Sequence, residues 1–146
     1  MIKDVAVTCK KGCSFCCHMD IDITSTEAQL IKEYMAVNAI GIDAGYLEAQ
    51  LSLSKVDRPL SQTHSACVFL KGENCLIYPV RPIACRKHLM NSAAVFCDQK
   101  LMVGSGVGKT QVLSPDIEAL HSAIEDALKE ESGRMAGILL RELDIV

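Results

Sequence analysis

The chain of 146 residues has no tryptophan, three phenylalanines, three tyrosines and four prolines. A core built from it has to be mainly aliphatic. A basic excess is also missing: 15 Lys and Arg stand against 18 Asp and Glu, for a formal charge of −3. General nucleic-acid binding depends on cations that neutralise phosphates, so no nucleic-acid partner is expected. No apolar run is long enough to span a bilayer, and no membrane partner is expected either. The opening residues MIKDVAVTCKKG lack the apolar stretch of a signal peptide, which makes a cytoplasmic location the expectation. Repeats, low-complexity runs and linkers are absent. With 49% hydrophobic and 23% charged residues, the composition is that of one globular domain over residues 1–146.

Cysteine is what the chain has in quantity. The eight are Cys9, Cys13, Cys16, Cys17, Cys67, Cys75, Cys85 and Cys97. Four fall within nine residues near the N-terminus, four fall between 67 and 97, and none lies between 18 and 66. Core cysteines scatter along amphipathic elements, so clustering of this kind points elsewhere. A secreted disulfide framework fits the even count but not the missing signal peptide or the chain length. Thiols three or four residues apart in a reducing compartment are the pattern of a metal site.

Local signals place these cysteines between helices. Thr24 and Glu27 form a capping-box pair ahead of Leu30, Ile31, Tyr34, Met35 and Val37 at helical spacing, with Asn38 and Gly41 at the end. A second helix is predicted over 43–55, with Leu47, Leu51 and Ser54 on one face. Residues 56–66 read as a loop broken by Pro59. Lys71-Gly72-Glu73-Asn74 is a turn between two short apolar runs, which predicts a hairpin near 67–78. Pro82 can open a helix at its first position, placing Cys85 and His88 on one face. The tail predicts a helix capped by Ser114 and begun by Pro115, with Ile117, Leu120, Ile124 and Leu128 as a buried stripe. Gly133 ends it, and a shorter helix runs from Arg134 to Leu143. The fold expected is therefore mainly α: about five helices around an irregular cysteine-rich centre (residues 9–97), with at most a short hairpin, and C-terminal helices over 115–143.

The first cysteine block reads Cys9-x3-Cys13-x2-Cys16-Cys17. The second reads Cys67-Val-Phe-Leu, then Gly72-x2-Cys75-Leu-Ile-Tyr-Pro-Val-Arg-Pro-Ile-Ala-Cys85-Arg86. Together they resemble the CxxxCxxCC family of zinc- or iron-chelating proteins, also called YkgJ-like cysteine-cluster proteins, over residues 9–86. The resemblance implies chelation by Cys9, Cys13, Cys16, Cys17, Cys67, Cys75 and Cys85. Cys97, His18, His64 and His88 lie outside the pattern, as extra ligands or as structural residues.

Coordination chemistry agrees with that implication. A four-coordinate metal takes ligand pairs two to four residues apart, because a short loop then turns both sulfurs inward. Cys9/Cys13 and Cys13/Cys16 meet this, and Cys67, Cys75 and Cys85 would close the sphere. Neighbours Cys16 and Cys17 are expected to point in different directions, toward two metals or with one of them standing apart. Zinc and an iron–sulfur cluster such as [4Fe–4S] remain equal alternatives, since four thiolates suit either. Structural zinc contributes about 10 kcal/mol to folding, so the cysteine loops are expected to need their metal. The basic residues Lys10, Lys11, Arg81, Arg86 and Lys87 are either surface cations or groups that offset thiolate charge.

Cys9-x3-Cys13-x-Phe15-Cys16 also matches the three-cysteine motif of radical S-adenosylmethionine enzymes, but the chain is too short and too helical for their barrel. Val103-Gly-Ser-Gly-Val-Gly108-Lys109-Thr110 resembles a P-loop whose leading glycine is replaced by Val103 and whose helix Pro115 would break. Three functions follow. In the first, the metal is structural or a small redox centre and the protein is not an independent enzyme. In the second, a metal-dependent modifying enzyme similar to flagellin lysine N-methylase-like proteins uses Arg81 and Arg86 to hold an anionic cofactor or substrate group. The alternative role of those two arginines is to hydrogen-bond thiolates or loop carbonyls. In the third, the metal scaffolds a module that binds a protein partner.

Overall fold

The computed structural model describes residues 6–54, 65–98, 111–128 and 131–143. Expectations for residues 103–110, for most of the loop 56–66 and for His64 lie outside the described residues. Among those described are five α-helices and three short antiparallel strand pairs. In chain order they are β1 (Asp22–Thr24), α1 (Ser25–Val37), α2 (Ala44–Ser54), β2 (Leu70–Lys71), β3 (Asn74–Cys75), α3 (Ile83–Lys87), β4 (Leu89–Met90), β5 (Gln111–Val112), α4 (Pro115–Leu128), β6 (Ser132–Arg134) and α5 (Met135–Glu142). The mainly α expectation holds.

Helix α1 begins as its sequence requires. The Thr24 side chain accepts from the Glu27 amide at 3.2 Å, and Glu27 Oε2 accepts from the Thr24 amide at 2.9 Å. The reciprocal box satisfies two of the amides that a helix start leaves without intrahelical partners. At the other end the Asn38 amide donates to the Tyr34 carbonyl, and Ala39 turns the chain away with a φ of 52°. Helix α1 buries Ala28, Ile31 and Met35, whereas Leu30 and Val37 face solvent.

The core is centred on α5. Met135, Ala136, Ile138, Leu139 and Leu140 are all buried, against Ile31 and Met35 of α1, Leu47 of α2, and Phe69 and Ile77 of the second cysteine region. Gly137 faces Leu51 of α2 at ordinary van der Waals range. Gln50 of α2 is buried and donates to the Ala66 carbonyl at 2.6 Å, which also accepts from the Tyr46 hydroxyl at 2.7 Å. These bonds fasten the entry to Cys67.

Two strand pairs go beyond the hairpin that the sequence announces. β1 pairs with β6, with Ile23 opposite Gly133, and β4 pairs with β5, with Leu89 opposite Val112. Neither has the alternating pattern that marks a strand, because each runs for only two or three residues. The hairpin itself is β2–β3, with Leu70 opposite Cys75. Its two-residue turn has Gly72 at a φ of 62°, the conformation that the first position of a type II′ turn demands.

Two helical details need correcting. Pro82 is the N-cap of α3 and not its first helical residue. The stripe expected on α4 is not a buried one: Leu120 is 62% exposed, and Ile117 and Ile124 are only half-buried. Helix α4 meets α3 instead through polar groups, with Lys87 Nζ 3.0 Å from Glu118 Oε2 and 3.3 Å from His121 Nδ1. An amphipathic period sets which face turns inward but not how deeply it sinks.

Candidate metal centre

The first cysteine block is made of two tight turns. The Cys13 amide donates to the Lys10 carbonyl at 3.0 Å, closing a four-residue turn with Gly12 at a φ of 88°. This is the third position of a type II turn, where glycine is the natural occupant. A 3-10 turn over Phe15–His18 follows, carrying Cys16 and Cys17. Thr8 anchors the block from below, its amide bonding Met90 O at 2.8 Å and its hydroxyl Ser92 O at 2.6 Å.

The second block is fastened to the first through the backbone, since the Cys67 amide donates to the Cys17 carbonyl at 2.6 Å. Cys75 ends the hairpin, and Cys85 lies in α3. The start of α3 is fixed by the same carboxylate that caps α1: Glu27 Oε1 accepts from the Ile83 amide at 2.8 Å.

These elements enclose a cavity of about 150 Å³, and its lining contains Cys9, Cys13, Cys16, Cys17, Cys67, Cys75 and Cys85 together. Neither these seven nor Cys97 forms a disulfide, so no cystine competes with this arrangement. Among the described residues, no three histidine, cysteine, aspartate or glutamate side chains are already arranged to hold a metal ion. The thiols thus share a chamber without being closed up around one point. Cys16 and Cys17 both face it, and they hydrogen-bond to each other. Both line the one cavity, although a 3-10 turn sets successive side chains about 120° apart.

Electrostatics follow from burial. Desolvation pushes the Cys67 thiol up to about 11 and the Cys85 thiol up to about 12, with neighbouring thiols adding to both. Cys17 is raised by its hydrogen bond to Cys16 and by burial, and Cys13 and Cys75 are raised by burial. Lys10 pulls Cys13 back, and Arg81 pulls back Cys75 and Cys85. The cations near the cysteines therefore offset only part of the cost of a thiolate.

The other candidates separate cleanly. Arg81 and His88 line the cavity, whereas His18, Cys97 and Arg86 do not. Cys97 is buried at the end of a 3-10 turn that packs on the one carrying Cys16. Cys9 is held by the backbone around His88, its sulfur accepting from the Met90 amide at 3.2 Å. Arg86 Nε donates to Arg81 O at 2.8 Å and its Nη2 to Pro79 O at 2.6 Å. Met19, Phe69, Tyr78 and Met135 complete much of the wall. Phe69 lies within the quoted cysteine pattern, but nothing local in the sequence marks Met135 as a neighbour of the cysteines. It arrives with α5, through the pairing of β1 with β6.

A cysteine-lined chamber of this kind can be compared with known families. The model of the CxxCxxCC family, described as "Putative zinc- or iron-chelating domain", matches residues 8–103. The chain belongs to this family. Cys9 and Cys13 have three residues between them, one more than the family's label spells. No curated protein and no solved structure matches the chain. The match ends before α4, β6 and α5, so the helix that forms the core and supplies Met135 lies outside it. Among the described residues, no helix is long and apolar enough to cross a membrane.

Proposed function

We propose that Cys9, Cys13, Cys16, Cys17, Cys67, Cys75 and Cys85 hold a zinc or iron centre containing more than one metal atom, in a structural or redox role. The observation that carries this is the convergence of seven thiols from both cysteine blocks on one cavity of about 150 Å³. A single four-coordinate ion accepts four of them. The chamber is also large for one ion, since a cavity of that volume accommodates a benzene molecule. The residues fit such a group: thiolates are soft donors suited to zinc and to iron–sulfur clusters alike. When bound, the metal would supply either a rigid link between the blocks or a one-electron couple. The protein's part is to bring the sulfurs together, exclude water with Phe69, Tyr78 and Met135, and balance charge with Arg81 and Lys10.

Metal analysis of anaerobically purified protein, with its absorption spectrum, tests this. More than one zinc or iron per chain is expected, and a broad band near 400 nm would assign the iron–sulfur form. Serine substitutions of Cys16, Cys67, Cys75 and Cys85 should each lower the metal content, whereas Cys97→Ser should leave it unchanged. A chain that carries neither metal, or one ion unaffected by these substitutions, would overturn the reading.

A further inference from the structure

Arg81 lines the cysteine cavity, and its neighbours fix both its backbone and its guanidinium. Its backbone, at φ −58° and ψ 144°, follows the 3-10 turn Tyr78–Val80 and precedes Pro82, which restricts it to extended geometry. Arg86 clamps that bend from outside through the carbonyls of Arg81 and Pro79. The guanidinium lies over the Tyr78 ring, 4.0 Å from its centroid. Arg81 Nε is nevertheless buried with no hydrogen-bond partner, the one such side-chain nitrogen or oxygen among the described residues. A charged donor left unpaired away from water is costly, and a native structure that keeps one usually has a use for it. The residue lines the cavity together with Cys75 and Cys85.

We propose that Arg81 is the counter-cation of the metal–thiolate centre, its Nε–H donating to a thiolate sulfur inside the cavity and so setting how firmly the metal is held. This rests on the reading of the seven cysteines as a metal centre. A centre rich in thiolates carries excess negative charge, and N–H donors to the sulfurs stabilise that charge. The planar guanidinium suits the task, because its stacking on Tyr78 fixes the direction in which Nε points. Arg81 is a positioning and charge-balancing residue here, not a ligand. The lining also contains Lys10, His88 and one carboxylate, Glu73, so Glu73 is the rival acceptor.

The test is metal transfer to a colorimetric chelator from protein carrying the metal it holds when purified. Arg81→Ala should release metal at least ten-fold faster than the unsubstituted chain. Arg81→Lys, which keeps the charge but not the fork, should fall between them. Added guanidinium ion should slow release from Arg81→Ala, whereas sodium chloride at the same ionic strength should not. A purely structural role would give no such rescue. Equal release rates in all three proteins, no rescue by guanidinium, or an equal loss in Glu73→Gln would overturn the proposal. An unsubstituted chain that holds no metal would instead overturn the metal reading itself, and this inference with it.

Discussion

The amide of Cys67 donates to the carbonyl of Cys17 at 2.6 Å. That bond joins two cysteine blocks with no cysteine between 18 and 66, and it does so through the backbone, before any sulfur acts as a ligand. The buried cluster that α1, α2 and α5 share with Phe69 and Ile77 is apolar, and Cys67 and Cys75 are only partly buried against it. Two layers of stability follow, one set by α1, α2 and α5 and one by the cysteine chamber.

Removal of metal should therefore act unequally. A chelator is expected to lower the melting temperature and to open the segments around Cys9–Met19 and Cys67–His88 to protease. Much of the far-UV helical signal should persist, because α5 and its neighbours keep their burial. Structural metal is worth about 10 kcal/mol in small domains, comparable to a whole domain's stability, so the shift should be large. Limited proteolysis with mass mapping, with and without chelator, checks this. An unchanged melting point and cleavage pattern would be incompatible with a metal-dependent chamber.

The thiols give the chain a pH dependence whose sign depends on metal. In metal-free protein, burial raises Cys67 to about 11 and Cys85 to about 12, above an ordinary value of 9.0. The folded state then keeps protons that the unfolded chain releases. The stability these groups contribute is complete below pH 9 and is lost as pH climbs toward 12. Metal reverses the relation, since ligation requires thiolates and releases their protons. Reduced, metal-free protein should melt at lower temperature as pH rises from about 9, and metal affinity should weaken as pH falls. Melting curves across pH, paired with proton release on zinc titration, test both signs.

Glu27 connects the layers. One carboxylate oxygen closes the capping box of α1, and the other accepts from Ile83 at the start of the helix that carries Cys85. Glu27→Ala removes a cap worth about 1 kcal/mol and strands a partly buried amide at a cost of about 1–3 kcal/mol. A loss of roughly 2–4 kcal/mol is expected in denaturant unfolding. Glu27→Gln keeps one acceptor oxygen, enough for one of the two bonds, and should lose less. Equal losses in the two variants would count against the bridging role.

The half of Glu27's role that is local was legible in sequence, because a capping box is a four-residue signal. Its bond to Ile83, 56 residues away, was not. The same division runs through the site. Seven cysteines were legible as candidate ligands because their spacing and neighbours are themselves the signal, and all seven line the cavity. Arg81 was noticed for its charge, but only the tertiary structure separates it from Arg86, two similar cations of which one faces the sulfurs and the other clamps carbonyls. Short strand pairs such as Ile23 with Gly133 left no period to detect. Leu120 fits the apolar face of an amphipathic helix yet stays exposed, while the pair Lys87 and Glu118 joins α4 to α3.

Gly12 offers the sharpest separation of backbone from contact effects. Its φ of 88° is one that side chains rarely adopt, yet a Cβ placed there would meet nothing within 4 Å. Substitution therefore adds conformational strain without a clash, at about 1–3 kcal/mol for a non-glycine residue. The strain falls on the turn that sets the distance between Cys9 and Cys13. Gly12→Ala is expected to weaken metal retention, and Gly12→Asn to do so less, because asparagine tolerates positive φ better. Mutational relief by chain length should follow as well: lengthening this turn by one glycine should restore folding to Gly12→Ala but not full metal content, since Cys9 is pinned by the Met90 amide. Chelator-transfer rates and melting curves for the three variants decide the matter. If alanine and asparagine prove as good as glycine, the turn is not what places Cys13 at the cavity.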